Sequence, residues 1–530
     1  MPPAHPHPAP LRNNTHTNWL LDPSIRKLNF LLLSCYLGAI AIGYTSSLIS
    51  NLITNPRWPQ DIKGLTNPEL LGLVTAAHAF GSIAAFFPAP WLADKYGRRA
   101  GILLGNVGMI AGFTGQVFCS TFSQFLGLRL LVGFAAIFNT ISSSALLIEL
   151  AHPRQRAVSG ALFNTFWFLG AIFAAWGSYG ALGIQSSWSW KVPVAVQLVW
   201  AVAQMSFAMF VPESPRWLVR HGKEDEARRI LVEYHANGDE EDELVAAEFE
   251  EMRASTAREH GSKSTRWLAL CKTPGNRKRL VLSVVIGVAT QWVGNGTYSI
   301  STIGCEIPTN LVPLFLGIIN FYLSPVLETV GVTNVLQQQG IYGGLQVYNW
   351  LLACCAALFS EKAGRRRMFL TSATTMLVFM VLVTICSAYY SRTQSTAAGY
   401  AVIVFLFLFL GGYVIGLTPI PILYVNEIWP SHLRTKGTSV FWVSQAIAVC
   451  FNQFVNPVAL DRIAWKYYLV YVAVLVFVII FMFLYVPETK GLSLEDVCRI
   501  FDRRDQEDTV ELAIGGDQRG GEGQATRVSV

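Results

Sequence analysis

Apolar residues gather in twelve long stretches separated by short polar breaks, near residues 29–50, 69–93, 100–120, 123–147, 157–183, 191–211, 280–300, 340–359, 368–389, 397–422, 437–458 and 466–486. A bilayer core about 30 Å thick takes roughly 20 residues of helix to cross, so each stretch is long enough to span it. Lipid offers backbone amides no partner, and each stretch is therefore expected to be a helix that satisfies its own hydrogen bonds. Six precede a long polar segment and six follow it. The pattern predicts a disordered amino-terminal arm at 1–25, a six-helix half at 26–212, a polar central loop with short helices at 213–279, a second six-helix half at 280–490 and a polar tail at 491–530.

Composition agrees: 52% of the residues are hydrophobic and 14% charged, against roughly 25% charged in a soluble domain. The chain reads as an all-α polytopic membrane protein. Its net charge of +6 is spread over short loops rather than gathered into a patch for nucleic acid. Loops 94–99, 152–156, 361–367 and 432–436 and the segment 213–280 are rich in Lys and Arg, whereas 388–397 and 459–466 carry few. Positive loops face the cytoplasm, which places both termini there. No cleavable signal is expected in the first 20 residues, so the first span serves as the targeting signal. The nine cysteines, among them Cys35, Cys354, Cys355, Cys386 and Cys450 inside spans, show no disulfide or metal spacing and read as small core hydrophobes. No phosphate loop or catalytic arrangement is present, so neither ATP nor another cofactor is expected and the chain is not read as an enzyme.

One charged stretch occurs twice. Asp94-Lys95-Tyr96-Gly97-Arg98-Arg99 returns as Glu361-Lys362-Ala363-Gly364-Arg365-Arg366. Glu149 with Arg156 seven residues on returns as Glu427 with Arg434, and Pro212-Glu213-Ser214-Pro215-Arg216 returns as Pro487-Glu488-Thr489-Lys490. The displacements, from 94 to 361, 149 to 427 and 212 to 487, are 267, 278 and 275 residues. Three features recurring in one order at nearly one distance predict two halves related by an axis along the membrane normal. At these junctions glycine permits a tight turn, and an acid can cap or pair with a helix end. The set is expected to form an ionic latch at the inner membrane face. Between the halves, the acidic and basic runs of 219–275 read as a solvated linker with amphipathic helices.

These motifs, with Pro212 to Leu218 and Pro487 to Gly491, resemble the signatures of the sugar porter family in the major facilitator superfamily, over roughly 25–500. Gln291-Trp292, Gly294-Asn295-Gly296 and Leu323-Ser324-Pro325-Val326-Leu327-Glu328 are most similar to its fungal branch containing lactose permeases. The resemblance implies the major facilitator fold, with twelve transmembrane helices in two six-helix halves. It also implies alternating access at the plasma membrane, with the lipid bilayer and a mono- or disaccharide bound near the midplane as partners.

A sugar needs amides for its hydroxyls and aromatic faces for its C–H surfaces, and polar side chains inside a bilayer are functional candidates. Asn164 lies eight residues after Arg156, where the family places a sugar-contacting Gln. Gln291, Trp292 and Asn295 fall in the seventh span, Gln346 and Asn349 in the eighth, and Gln445, Asn452 and Asn456 in the eleventh. Interhelical packing is the competing reading for each. His78 in the second span is expected to serve packing, with a proton relay as the alternative.

Three departures from the family pattern matter. Gly43-Tyr44-Thr45 stands where symporters of the family carry Gly-Tyr-Asp, and Arg129 matches the arginine that would pair with that acid. Thr carries no titrating proton, so facilitative uniport is favoured over symport with a proton as co-substrate. Ile422 replaces a Trp common in the tenth span, where Pro419 and Pro421 are expected to break the helix. Residues 297–320 separate Gly296 from Phe321 and read as an insertion or a retained intron. Other readings weighed on the same scaffold are a transporter of polyols or sugar acids and a non-transporting sugar sensor.

Overall fold

The computed structural model describes residues 13–16, 19–55, 57–63, 68–261, 267–293, 335–393, 395–463, 467–490, 492, 497, 500 and 501. Every stretch expected to span the membrane is helical within them. The first half comprises α1 (Pro23–Thr54), α2 (Trp58–Asp61), α3 (Pro68–Ala84), α4 (Pro88–Tyr96), α5 (Arg98–Phe118), α6 (Phe122–Leu150), α7 (Arg156–Ala181) and α8 (Trp188–Ala208). Four polar-segment helices follow: α9 (Pro215–Arg220), α10 (Glu224–His235), α11 (Glu243–Gly261) and α12 (Ala269–Lys272). The second half comprises α13 (Pro274–Trp292), α14 (Val335–Ala363), α15 (Arg365–Thr393), α16 (Thr396–Gly416), α17 (Ile420–Ile428), α18 (Ser431–Ile463) and α19 (Tyr467–Tyr485).

Two expected spans are each two helices. The second breaks between α3 and α4, where Pro88 and Pro90 enter a new first turn, the one place in a helix where a missing N–H costs nothing. The tenth breaks between α16 and α17 at Leu417–Pro419, as Pro419 and Pro421 predicted. The seventh begins at Pro274, six residues earlier than expected from hydropathy, because the Thr273 side chain accepts from the Asn276 amide and starts the helix. Residues 297–320 and Asn295 lie outside the described residues.

Helix pairing repeats between the halves. In the first, α1 packs on α7, α3 and α5 on α6, and α5 on α8; in the second, α13 packs on α18, α14 and α15 on α16, and α15 on α19. The halves meet along two seams, α7 on α14 and α3 on α18. These seams exchange under the same relation, so the bundle has the pseudo-two-fold expected of parallel repeats.

The amino-terminal arm departs from expectation. From Asn13 it is held against the central helices: the Asn14 amide donates to Asp242 Oδ2 at 2.8 Å, and Asn13 Nδ2 donates to the His235 carbonyl at 2.9 Å. Asp22 then caps α1 by accepting from the Ile25 amide at 2.9 Å. Short Asn and Asp side chains that bond nearby backbone supply this order without an apolar core.

Candidate functional site

A cavity of about 180 Å³ lies between the halves. The first half lines it from α1 with Ile42 and Ser46, from α3 with His78, Ala79 and Ser82, and from α7 with Asn164 and Trp167. The second half answers with Thr290 and Gln291 of α13, Thr418 and Pro421 at the α16–α17 break, and Trp442 and Gln445 of α18. Phe163, Phe168, Tyr413 and Phe441 complete an aromatic wall. The arrangement offers hydroxyl-bonding amides from both halves beside flat rings.

Asn164, Gln291 and Gln445 are thus brought together. Gln445 Nε2 donates to Thr290 Oγ1 at 3.1 Å, and Asn164 Nδ2 donates across the halves to the Thr418 carbonyl at 2.6 Å. Asn452 sits behind this wall and donates to the Gln291 carbonyl at 3.0 Å, while Trp292 packs against Phe451 at 5.0 Å between ring centroids. Gln346 and Asn349 are fully buried in α14 and do not line the cavity. Gln346 instead bonds Tyr342, which also reaches Ser47 of α1, a placement that spacing along a single helix does not reveal. At the coupling position, Thr45 Oγ1 donates back to the Ala41 carbonyl at 2.8 Å, and Arg129 is buried in α6.

The duplicated motifs build two matching braces at the end of the bundle that carries the charged loops. Arg98 Nε donates to Glu149 Oε2 at 3.0 Å and Nη2 to Oε1 at 3.4 Å, while Ser214 Oγ donates to the same Glu149 at 2.6 Å. In the second half Arg365 Nη2 donates to Glu427 at 2.9 Å and Thr489 Oγ1 to Glu427 at 2.7 Å. Glu213 accepts from the amides of Arg98 and Arg99, both at 3.0 Å, and Glu488 from those of Arg365 and Arg366 at 2.9 and 3.2 Å. Each acid therefore caps the helix that the two arginines begin. Burial pushes the Glu213 carboxyl above its usual range, against the pull of the amides of Ser214, Arg99 and Arg98. Gly97 and Gly364 have φ of 101° and 86°, and a Cβ on either would lie 2.3 and 2.6 Å from the capping carboxylate. Only glycine fits there.

Other members of the expected latch sit elsewhere. Arg156 pairs with Glu248 at 3.2 Å and Arg216 with Glu251 at 3.4 Å, both on α11, rather than with Glu149. Arg434 Nε donates to the Asn426 carbonyl at 3.1 Å. Asp94 reaches the other half, where Thr435 Oγ1 donates to it at 3.2 Å, and it also lies 3.7 Å from Arg98. The Glu361 side chain falls outside the described residues. Charge also acts across the halves, since Arg434 attracts Glu149 and Asp94 attracts Lys436. The close ion pairs of Arg98 and Arg365 brace each half internally, while hydrogen bonds join these longer-range attractions between the halves.

Beside Arg156, His235 places Nδ1 2.7 Å from Glu248 and Nε2 3.1 Å from the Leu150 carbonyl, joining α10, α11 and the end of α6. Burial alone would raise the Glu248 carboxyl, but the His235 hydrogen bond and the charges of His235 and Arg156 carry it down to about 2. His152, whose ring lies 5.2 Å from that of His235, is pushed down to about 4 by burial and by the charge of His235.

A family model described as sugar (and other) transporter matches residues 32–303 and 301–501. The chain belongs to this family, the sugar porters of the major facilitator superfamily. Among relatives of this porter, the MFS-type transporter oryC of Aspergillus oryzae is 26% identical, over 88% of this chain and 84% of that one. The low-affinity glucose transporter HXT1 of Saccharomyces cerevisiae is 25% identical, over 80% and 72%. The proton:xylose symporter XylE bound to 6-bromo-6-deoxy-D-glucose superposes with a TM-score of 0.74 at 20% identity, covering 89% of the porter and 99% of XylE. The inward-open form of XylE from E. coli gives 0.64 at 20% identity, with the same coverage. These likenesses establish the major facilitator fold, and the porter is a multi-pass integral membrane transporter rather than an enzyme.

Sequence reasoning missed six features of the site. Trp167, Trp442 and Tyr413 were unmarked because aromatic residues in apolar spans look alike whether they pack or line a cavity. The bond between Asp94 and Thr435 joins residues far apart in sequence. A signal did exist for Ser214 and Thr489, since each follows its capping acid directly and both carry a hydroxyl.

Proposed function

We propose that this porter carries a mono- or disaccharide across the plasma membrane by alternating access and works as a facilitative uniporter. The observation that carries this reading is the cavity between the halves, with Asn164, Gln291 and Gln445 beside Trp167 and Trp442. Amides bond hydroxyls and rings cover C–H faces, the combination a sugar needs. Relatives named as glucose transporters and a sugar-bound structural neighbour support the substrate class. In this reading the charged end faces the cytoplasm with both termini. Trp292, Gln346 and Asn452 act around the primary contacts, Asn349 serves packing behind them, and Asn295 is assigned to the site on sequence grounds alone.

Uniport is supported by the chemistry of the coupling position. Thr45 stands where an acid would take the proton, and no carboxylate lines the cavity among the described residues. Proton symport is the second reading, favoured by the fold's likeness to a proton:xylose symporter. Radiolabelled sugar uptake in cells lacking their own carriers, with and without a protonophore, separates the two. Equilibration that survives the protonophore is expected, and accumulation that collapses would replace uniport by symport. The two family matches meet at 301–303, inside 297–320, which supports an insertion there. A transcript joining Gly296 almost directly to Phe321 would show it to be a retained intron.

A further inference from the structure

His78 lines the cavity from α3, is 8% exposed, and its Nδ1 has no hydrogen-bond partner among the described residues. Its helix has no freedom to rotate it away. Gly133 of α6 comes so close to α3 that a Cβ there would lie 2.0 Å from the His78 carbonyl oxygen. On the other side, Ala79 packs against Val449 and Cys450 of α18. His78 is therefore held at the seam where the two halves face one another, lining the same cavity as Gln445.

The Ser82 and Thr140 hydroxyls of that cavity have spent their hydrogens. Ser82 Oγ is bonded at 2.9 Å to the His78 carbonyl, and Thr140 Oγ1 donates to the Ala136 carbonyl at 2.8 Å. Asn164 gives one of its two amide hydrogens to the Thr418 carbonyl, and Ser46 of α1 is the remaining polar side chain of the first half here. A buried ring nitrogen left unbonded costs free energy that a ligand can return. A neutral imidazole offers one donor and one acceptor, and a sugar hydroxyl offers both in return.

We propose that His78 is a sugar-contacting residue, bonding one sugar hydroxyl from the first half while Gln445 faces the sugar from the second. It thereby helps to decide which hydroxyl pattern the cavity accepts. This rests on the transport reading above, and it differs from both a packing histidine and a proton relay.

The test uses the full-length porter in proteoliposomes with D-glucose, lactose and the monodeoxyglucose series, comparing wild type with His78→Phe and His78→Asn. Loss of one neutral hydrogen bond is expected to raise KM roughly 5- to 10-fold in His78→Phe with the maximal exchange rate retained. His78→Asn, which keeps a donor and an acceptor, is expected to recover part of that. One monodeoxy sugar should be discriminated against by wild type and not by His78→Phe. Unchanged KM and unchanged discrimination in a well-folded His78→Phe, checked by its melting temperature, would overturn the contact and leave packing. Loss of protonophore-sensitive accumulation at unchanged KM would overturn it in favour of a relay. Wild type that neither carries nor is stabilised by any of these sugars would sink the transport reading and the proposal together.

Discussion

Arg98 grips both oxygens of Glu149 in a fork, and the two side chains are only 5% and 3% exposed. A charge pair taken this far out of water is held together by its geometry, and removing one partner strands the other. Arg98→Ala is expected to cost about 3–5 kcal/mol of stability and to slow interconversion of the two states while leaving sugar preference intact. Arg365→Ala should cost less, because Glu427 is 14% exposed and keeps some water. Melting temperatures and competition uptake check both, and an altered sugar preference would count against a purely mechanical role.

The paired glycines give a second test. Gly97→Ala forces a side chain into a left-handed backbone and against Glu213, and is expected to cost about 1–3 kcal/mol. Gly364→Ala should act in the same direction through Glu488. If either variant melts like wild type, the capping carboxylate has room that the geometry denies it.

Within the cavity, Gln445→Ala should raise the KM for the transported sugar roughly 10-fold, since it removes an amide that both faces the cavity and orders Thr290. Asn349 provides the contrast. It is fully buried and neither side-chain atom has a hydrogen-bond partner among the described residues. Replacing such a group by an apolar one of similar size is neutral or stabilising, so Asn349→Leu should raise the melting temperature and leave KM unchanged. A large rise in KM in Asn349→Leu would return that residue to the sugar site.

Acid should loosen the central helices before the bundle. His152 is lowered from 6.5 to about 4, so the stability it contributes is complete above pH 6.5 and falls away between there and about 4. Glu248 is lowered from 4.5 to about 2, so its share persists above pH 4.5 and is lost only as pH falls through about 2. Proteolysis of the 219–261 segment at pH 7.5 and 5 measures the first window. Wild type should become more sensitive at pH 5, and His152→Gln should flatten the difference.

Thr45→Asp tests the coupling assignment directly. Equilibrative uptake should change little, whereas a new protonophore-sensitive accumulation would show that the rest of the relay is already in place. Accumulation by wild type itself would refute the uniport reading.

Most of the fold was legible because bilayer crossing demands length and apolarity, which hydropathy displays directly. The braces were legible because duplication placed Arg98 beside Arg365 and Glu213 beside Glu488 in register. Partners were harder to read. Arg156 and Arg216 turn towards Glu248 and Glu251 because α11 folds beneath them, and a charged helix rich in acids gives no cue about which ones will be used. Gln346 and Asn349 read as ligands because a polar residue in a span is costly wherever it lies, and only the folded bundle shows that both are buried away from the cavity. His78 was underrated for the converse reason, since one histidine on an apolar helix carries no sign of whether its ring is spent.

The tie between Asp94 and Thr435 has a kinetic consequence. The ion pairs described above each lie within one half and the central helices attached to it, whereas this tie and that from Asn164 to the Thr418 carbonyl are hydrogen bonds. Asp94 and Glu149 also attract Lys436 and Arg434 of the other half, so parting the halves here draws opposite charges apart as well as breaking hydrogen bonds. Added salt screens those attractions, so turnover of such a carrier should quicken between dilute and concentrated salt.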